Sequence, residues 1–166
     1  MPERTTDSAD ATRALGEALG GVLEPGDVVL LDGELGTGKT VFVQGLARGL
    51  GLLGAVKSPT FTLVHEHHKK AWPGARADLA HLDLYRLPDG ATLTDLGLDE
   101  FLDQGVVAAE WGTRLADGYP EHVRVTLEEA GAVECRLVRI EGKGARGEAR
   151  VHALDVRLAA RDVRRA

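Results

Sequence analysis

Several residue types are scarce in this chain of 166 residues, and each scarcity excludes a class of protein. The single Cys135 cannot form an internal disulfide, which excludes a disulfide-stapled fold and fits a reducing compartment. Asparagine is absent, so the NKxD motif with which common GTPases read guanine cannot be present. Base preference otherwise stays open.

Long apolar runs and excess positive charge are also missing. No run approaches the roughly 18 apolar residues that a membrane helix needs, and the N-terminus has no signal-peptide pattern. The sequence therefore predicts a soluble cytoplasmic protein with no membrane partner. Lysine and arginine total 20 against 26 acidic residues, and this net charge of −6 argues against a general nucleic-acid binder. The length predicts one domain with a real core.

The most informative stretch is Gly33–Thr40, which reads GELGTGKT and matches the phosphate-loop pattern GxxxxGK[ST] at every fixed position. Its glycines allow backbone angles that other residues avoid, so successive N–H groups can point at phosphate oxygens. Lys39 can then reach the β- and γ-phosphates, and the Thr40 hydroxyl can bind the Mg²⁺ that bridges them. The predicted nucleotide-binding residues are Glu34, Leu35, Gly36, Thr37, Gly38, Lys39 and Thr40, with Lys39 also catalytic.

The flanking sequence supports a phosphate loop rather than a glycine-rich turn without a ligand. An apolar run over Asp27–Asp32 predicts a buried strand before the loop. The residues from Val41 to Leu50 predict a helix that ends at Gly51. Strand, glycine loop and helix is the order that the phosphate-binding motif requires.

Two acidic residues are candidates for the catalytic carboxylates. Asp83 lies in an alternating segment near the end of a predicted strand, where it could orient water or hold a Mg²⁺-bound water. A structural aspartate that pairs with Arg86 or caps a loop fits the pattern equally well. Glu110 ends the apolar strand from Gly105, where an acid can complete the Mg²⁺ shell opposite Thr40, and we prefer this to a purely structural carboxylate. Trp111 could stack on a nucleotide base or a partner, or belong to the core.

Two further segments have a functional and a plain interpretation. Between Val56 and Val64, Thr60 or Thr62 could form a switch that reaches Mg²⁺ or the γ-phosphate, although spacing alone favours a polar turn that caps a strand. The histidine-rich run from His65 to Lys70 resembles a metal site but lacks a second ligand cluster, so we expect a solvated hairpin loop up to Gly74.

The remaining patterns predict the outer elements. Ser8 is the expected N-cap of a helix that ends near Gly20-Gly21. A turn and helix are expected over 89–104, with Leu93, Leu96, Leu98, Phe101 and Leu102 facing inward. Alternating segments over 122–128 and 133–140 predict an antiparallel hairpin that extends the sheet.

Residues 1–145 form the expected domain. The Arg-rich tail 146–166 could dock RNA or an acidic partner, but we expect it to be a solvated or frayed helix.

Four motifs together resemble the TsaE family, also called YjeE, the ATPase of bacterial tRNA threonylcarbamoyladenosine synthesis. They cover the phosphate loop, the KSPTFTLV segment from Lys57, the HLDLYRL segment from His81, and Glu110-Trp111. The resemblance extends over about residues 8–140. It does not include the run from His65 to Gly74 or the Arg-rich tail.

The resemblance implies an α/β fold of the P-loop NTPase type, with three layers and a mainly parallel sheet that has an antiparallel extension. It implies Mg²⁺-dependent ATP binding, slow hydrolysis and association with TsaB and TsaD. In that scheme TsaD carries the transfer of the threonylcarbamoyl group to adenosine 37, and the chain meets tRNA indirectly through the complex. Lys39 and Thr40 would bind phosphate and Mg²⁺, Glu110 would complete the Mg²⁺ site, and Ser58 to Thr62 would be the switch. It also favours functional roles for Thr60 and Asp83.

Two other functions use the same loop. A small-molecule kinase would need an acceptor site and usually an arginine-rich lid, and no lid-sized insertion separates the predicted core elements. A nucleotide-gated scaffold would bind ATP without functional turnover. A partner-coupled ATPase is the preferred function. Its slow hydrolysis without partners has a reason in the sequence, because the motif set contains no evident arginine finger and a missing finger lowers the rate. Arg86 is the one candidate for this role within the chain.

Overall fold

The computed structural model describes residues 3–54, 56–57, 63–87 and 92–165, and in these ranges the chain forms a seven-stranded sheet with three α-helices. The strands are β1 (Glu3–Thr6), β2 (Val28–Asp32), β3 (Val64–His67), β4 (Asp78–Asp83), β5 (Gly105–Glu110), β6 (His122–Glu129) and β7 (Arg136–Lys143). The helices are α1 (Ala9–Gly20), α2 (Lys39–Gly49) and α3 (Gly144–Arg165). None of these helices is long and apolar enough to cross a membrane.

The sheet has a parallel centre and antiparallel edges, in the order β1-β7-β6-β2-β5-β4-β3. β2 pairs in parallel with β5 and β6, and β5 pairs in parallel with β4. β3 is antiparallel to β4 at one edge, whereas β7 and β1 form the antiparallel extension at the other. This arrangement confirms the predicted α/β fold with its antiparallel extension.

The two faces of the sheet are covered differently. α1, α2 and α3 bury one face, with Leu19, Phe42 and Leu154 in its apolar cluster. On the other face the second cluster includes Leu93 and Leu98, which lie in the turn segment before the 3-10 helix Glu100–Asp103. β2 and β5 are buried on both sides, and their sequences are apolar except for the acid that ends each strand, as expected for central parallel strands.

Helix α1 lies unusually close to α2 because glycines face backbone at the contact. A Cβ on Gly16 would collide with the carbonyl oxygen of Phe42, and one on Gly45 would collide with that of Arg13. Gly20 and Gly49 make equivalent close approaches. Only glycine permits such a backbone approach, so these residues set how closely α2, which follows the phosphate loop, lies against α1.

The structure corrects several expected element boundaries. No α-helix forms over 92–104; turns and the 3-10 helix Glu100–Asp103 occupy this segment, because the Asp95 side chain bonds the Thr92 backbone and Gly97 has φ 71°. Leu93 and Leu98 are nevertheless buried, as predicted. The expected hairpin loop forms but starts later than His65, because His65–His67 belong to edge strand β3, which pairs antiparallel with β4. In the predicted hairpin the second strand starts later, at Arg136, and β1 was not predicted at all.

The C-terminal segment is a helix that packs on the sheet rather than a solvated or frayed one. Leu154 of α3 is fully buried against the first apolar cluster. The arginines Arg146 and Arg150 both donate through Nε to Asp27, at 2.5 and 2.7 Å. Asp27 is only 2% exposed and immediately precedes β2. α3 therefore holds the start of the strand that leads into the phosphate loop.

Candidate nucleotide-binding site

The phosphate loop connects the end of β2 to the start of α2 and has the backbone conformation that the motif requires. Gly33, Gly36 and Gly38 have φ values of 150°, 80° and 99°, which residues with side chains rarely adopt. A Cβ on Gly33 would also meet the Leu127 carbonyl and the Thr37 hydroxyl. α2 begins directly after Gly38, so its free N–H groups and positive end face the loop.

Lys39 lies inside the loop and is held by backbone oxygens. Its Nζ donates to the carbonyls of Gly33 at 2.6 Å and Glu34 at 2.9 Å, and lies 4.4 Å from the centre of the Trp111 ring. Burial lowers the pKa of Lys39, and the nearby carboxylates, Glu110 first and Asp83 next, oppose that shift. An ammonium surrounded by carboxylates, backbone oxygens and a π face remains the cationic group of the site.

Glu110 lies opposite Thr40, as the sequence predicted. The Thr40 hydroxyl donates to Oε1 of Glu110 at 2.7 Å. Glu110 ends β5 next to β2, where its register partner is Leu31, and it is only 4% exposed. The same Oε1 accepts a hydrogen bond from Nε2 of His81 at 2.8 Å. The carboxylate is therefore anchored by donors from two elements.

Asp83 ends β4 at the level of Glu110, which is its register partner on β5. Its Oδ1 accepts a hydrogen bond from the backbone N–H of Tyr85 at 3.0 Å. This contact caps the loop, which was one of the two interpretations of Asp83 from the sequence. Its Oδ2 makes no hydrogen bond with the described residues. Asp83 thus caps the turn after β4 through one oxygen and leaves the other available to a ligand or water.

These side chains meet at an open cleft of about 300 Å³. The residues that line it are Leu35, Gly36, Gly38, Lys39, Thr40, Val41, Asp83, Glu110 and Trp111. Most predicted site residues are among them. Glu34 and Thr37 are exceptions: they line a neighbouring cavity of about 510 Å³, and the Thr37 hydroxyl donates to the Glu34 carbonyl. Thr60, with the segment Ser58–Thr62, lies outside the described residues.

Trp111 has the one positive φ, 57°, found at a non-glycine residue in the described part of the chain. A side-chain-bearing residue in this left-handed conformation costs roughly 1–3 kcal/mol and is typical of functional sites. The indole lines the cleft, where it contacts Lys39 and lies 5.1 Å from the Tyr85 ring. Trp111 is therefore part of the cleft wall rather than the core interior.

Sequence reasoning missed two residues that shape the site. His81 shares one side of the alternating β4 segment with Asp83, so the period of two was a signal that could have identified it. Arg136 of β7 donates through Nε to the Thr37 carbonyl at 3.0 Å and so braces the loop from behind. No local pattern predicts that contact, because it joins residues that are far apart in the chain.

The chain matches known proteins over most of its length. Residues 6–137 match the family model described as threonylcarbamoyl adenosine biosynthesis protein TsaE. The TsaE of Bacillus subtilis is 38% identical over 128 residues, which cover 76% of this chain and 77% of that protein. The TsaE of Streptomyces coelicolor is 40% identical over 139 residues, which cover 81% and 92%.

The structural comparison agrees with the sequence comparison. The crystal structure of Bacillus subtilis YdiB superposes with a TM-score of 0.74 at 30% identity and covers 93% of each chain. Both curated relatives are named tRNA threonylcarbamoyladenosine biosynthesis proteins. The matched residues include the phosphate loop, Asp83 and Glu110. The chain thus belongs to the TsaE family of tRNA threonylcarbamoyladenosine biosynthesis proteins.

Proposed function

We propose that the chain binds ATP with Mg²⁺ in the cleft and hydrolyses it slowly, in support of threonylcarbamoyl transfer to adenosine 37 of tRNA. In this proposal it acts in the cytoplasm with TsaB and TsaD and meets tRNA through them. Membership of the TsaE family supports the pathway. The observation that carries the nucleotide part is the convergence of Lys39, Thr40 and Glu110 at a positive-φ glycine loop.

The cleft has the donors that a triphosphate needs. The Lys39 ammonium has three protons, of which the Gly33 and Glu34 carbonyls accept two, so the third is available to a phosphate oxygen. The first amides of α2 and the loop amides supply further donors. A polyphosphate carrying several negative charges therefore fits this part of the cleft.

The residues opposite the loop fit a magnesium ion. The Thr40 proton is directed to Glu110, which leaves the hydroxyl lone pairs for a cation. Among the described residues no three His, Cys, Asp or Glu side chains come close enough to hold a metal together, so phosphate and water oxygens would complete the shell, as is usual for Mg²⁺. When bound, the ion would neutralise charge on the phosphates.

Asp83 is proposed to orient the attacking water. Its Oδ2 makes no bond with the described residues, and the Asp83 carboxylate lies on the strand next to that of Glu110. No arginine is among the described residues that line the cleft, and Arg86 follows Tyr85 in the chain. Because a missing arginine finger lowers the rate by about 10³- to 10⁵-fold, we expect weak hydrolysis alone and faster hydrolysis with TsaB and TsaD. The segment Ser58–Thr62, with Thr60, remains the proposed switch.

Calorimetry with ATP and MgCl₂ tests the nucleotide part. We expect the wild-type chain to take up ATP and Lys39→Ala to lose uptake, because the ammonium inside the loop is removed. Lys70→Ala removes a charge of the same sign from an exposed position and should bind ATP like the wild type. Equal uptake by Lys39→Ala and the wild type would contradict the site.

Turnover tests the second part. Phosphate release should be slow for the chain alone and increase when TsaB and TsaD are added together. Fast release that ignores these partners would contradict a partner-coupled ATPase. A phosphorylated nucleoside or sugar, found after incubation with ATP and a panel of acceptors, would instead identify a small-molecule kinase.

A further inference from the structure

His81 is a buried polar side chain that lies directly behind the cleft. It is on β4, between Ala80 and Leu82, and has no solvent exposure. Nε2 lies 2.8 Å from Oε1 of Glu110. An ionised carboxylate can only accept, so Nε2 carries the proton and donates it to Glu110.

The other ring nitrogen of His81 has no comparable contact. Nδ1 is buried and has no hydrogen-bond partner among the described residues. Buried polar atoms are normally paired, and an unpaired one calls for an explanation. Among the described residues, the single polar contact of the His81 side chain goes to the carboxylate of the cleft. A histidine that served only to fill the core would not need this contact.

The contact restrains one particular oxygen of Glu110. Oε1 accepts from both His81 and Thr40, whereas Oε2 makes no hydrogen bond with the described residues. Two donors on one oxygen fix the rotation of the carboxylate, so that Oε2 is left for a ligand in the cleft that Glu110 lines. Without His81, Thr40 would be the single remaining side-chain donor to Glu110 among the described residues.

We propose that His81 is a positioning residue that orients the Glu110 carboxylate. It thereby lowers the Mg²⁺ concentration that nucleotide binding requires. The inference rests on the proposed function, because it concerns the same cleft. His81 does not touch the nucleotide; it acts through Glu110. Hydrogen-bond partners of this kind, one step removed from a metal, typically change metal affinity by about 10- to 100-fold.

Three substitutions separate positioning from core packing. His81→Leu keeps an apolar group of similar size and removes the donor. His81→Gln places an amide N–H near the position of Nε2 and should keep the bond to Glu110. His81→Asn is polar, but its amide is one bond shorter and should not reach Oε1, so it provides a second loss variant should His81→Leu fail to fold.

The measurement is ATP binding by calorimetry across a Mg²⁺ titration, with a reference in EDTA. We expect His81→Leu and His81→Asn to raise the Mg²⁺ midpoint by about 10- to 100-fold and His81→Gln to stay within about threefold of the wild type. ATP affinity in EDTA should change by less than about twofold in all three, since no nucleotide contact is removed. A wild-type Mg²⁺ midpoint in a folded loss variant, or an equal loss in EDTA, would overturn the proposal.

A nucleotide-free readout separates this inference from the proposed function. In crystal structures without nucleotide, we expect Glu110 to keep its contact with Thr40 in the wild type and His81→Gln, and to adopt other rotamers in His81→Leu. An unchanged Glu110 in His81→Leu would overturn the positioning role even if ATP binds. A wild-type chain that takes up no ATP would overturn the proposed function, while the effect on Glu110 could still be seen.

Discussion

Glu110 and Asp83 occupy the same level of two neighbouring strands but make different contacts. Glu110 is 4% exposed, and its Oε1 accepts from Thr40 and His81. Asp83 is more accessible and uses Oδ1 to cap the turn at Tyr85. The anchored acid suits a metal, whose ligands must hold a fixed geometry, and the accessible acid suits a water molecule.

The proposed division of roles predicts separate effects on turnover and binding. Asp83→Asn keeps Oδ1, and with it the cap at Tyr85, so the fold and ATP affinity should be preserved. We expect the rate of phosphate release to fall by about 100-fold, because the amide cannot accept a proton from water. Release rates and calorimetry on the same preparations test this. Asp117→Asn, at an exposed position away from the cleft, is the control; a comparable loss in both variants would contradict the role of Asp83.

At the scale of elements, the close contact between α1 and α2 packs the helix that follows the phosphate loop. The two helices touch through Gly16, Gly20, Gly45 and Gly49, each facing backbone of the other helix. Sequence patterns predicted both helices, the Ser8 cap and the strand before the loop, because these depend on neighbouring residues. The close approach of the helices could not be predicted, since a glycine within a helix pattern does not reveal what it faces.

Gly45→Ala should destabilise the fold even though alanine favours helix. The new methyl group would collide with the Arg13 carbonyl, so α1 and α2 must separate. We expect a net fall of about 2 kcal/mol in the free energy of unfolding measured with urea, because the cost of overpacking outweighs the gain of roughly 1 kcal/mol in helix propensity. Gly118→Ala is the control, because its methyl group would meet its nearest neighbour, the Leu115 carbonyl, at 3.8 Å. Similar stability for the two variants would refute the close-packing argument.

His67 on strand β3 is expected to make the folded chain less stable in acid. Burial lowers the pKa of His67, and His81, His65 and His68 lower it further. In the folded chain His67 therefore binds a proton less readily than in the unfolded chain. Its stabilising contribution is complete above the unfolded pKa of about 6.5 and is lost as the pH falls below that value. Urea unfolding between pH 8 and pH 5 should show a weaker decline for His67→Gln; an identical decline would exclude His67 as a cause.

At the scale of the whole molecule, α3 lies outside the part of the chain that matches the family model, residues 6–137. It nevertheless holds Asp27, which lies inside that part, through Arg146 and Arg150. The sequence showed these arginines as a positive run, and a run of charge alone favours a solvated helix. Their partner is distant in the chain, so the packing of α3 required the structure.

The Asp27 contact should contribute far more to stability than an exposed ion pair to the same helix. Asp27→Asn leaves two arginines facing a neutral group at a buried position, and we expect a loss of about 3 kcal/mol in the free energy of unfolding. Asp155→Asn breaks the pair with Arg4, in which both side chains are at least one-third exposed, and should cost less than about 1 kcal/mol. Equal losses in urea unfolding would contradict the role given to Asp27.

A crystal structure of the chain with Mg²⁺ and a non-hydrolysable ATP analogue is the most direct test of the account. We expect the phosphates to lie within the loop Gly33–Thr40 and the ion to contact the Thr40 hydroxyl. Glu110 should reach the ion through Oε2, directly or through one water, while His81 still donates to Oε1. An analogue bound elsewhere, or an ion that neither Thr40 nor Glu110 approaches, would contradict the assignment of this cleft.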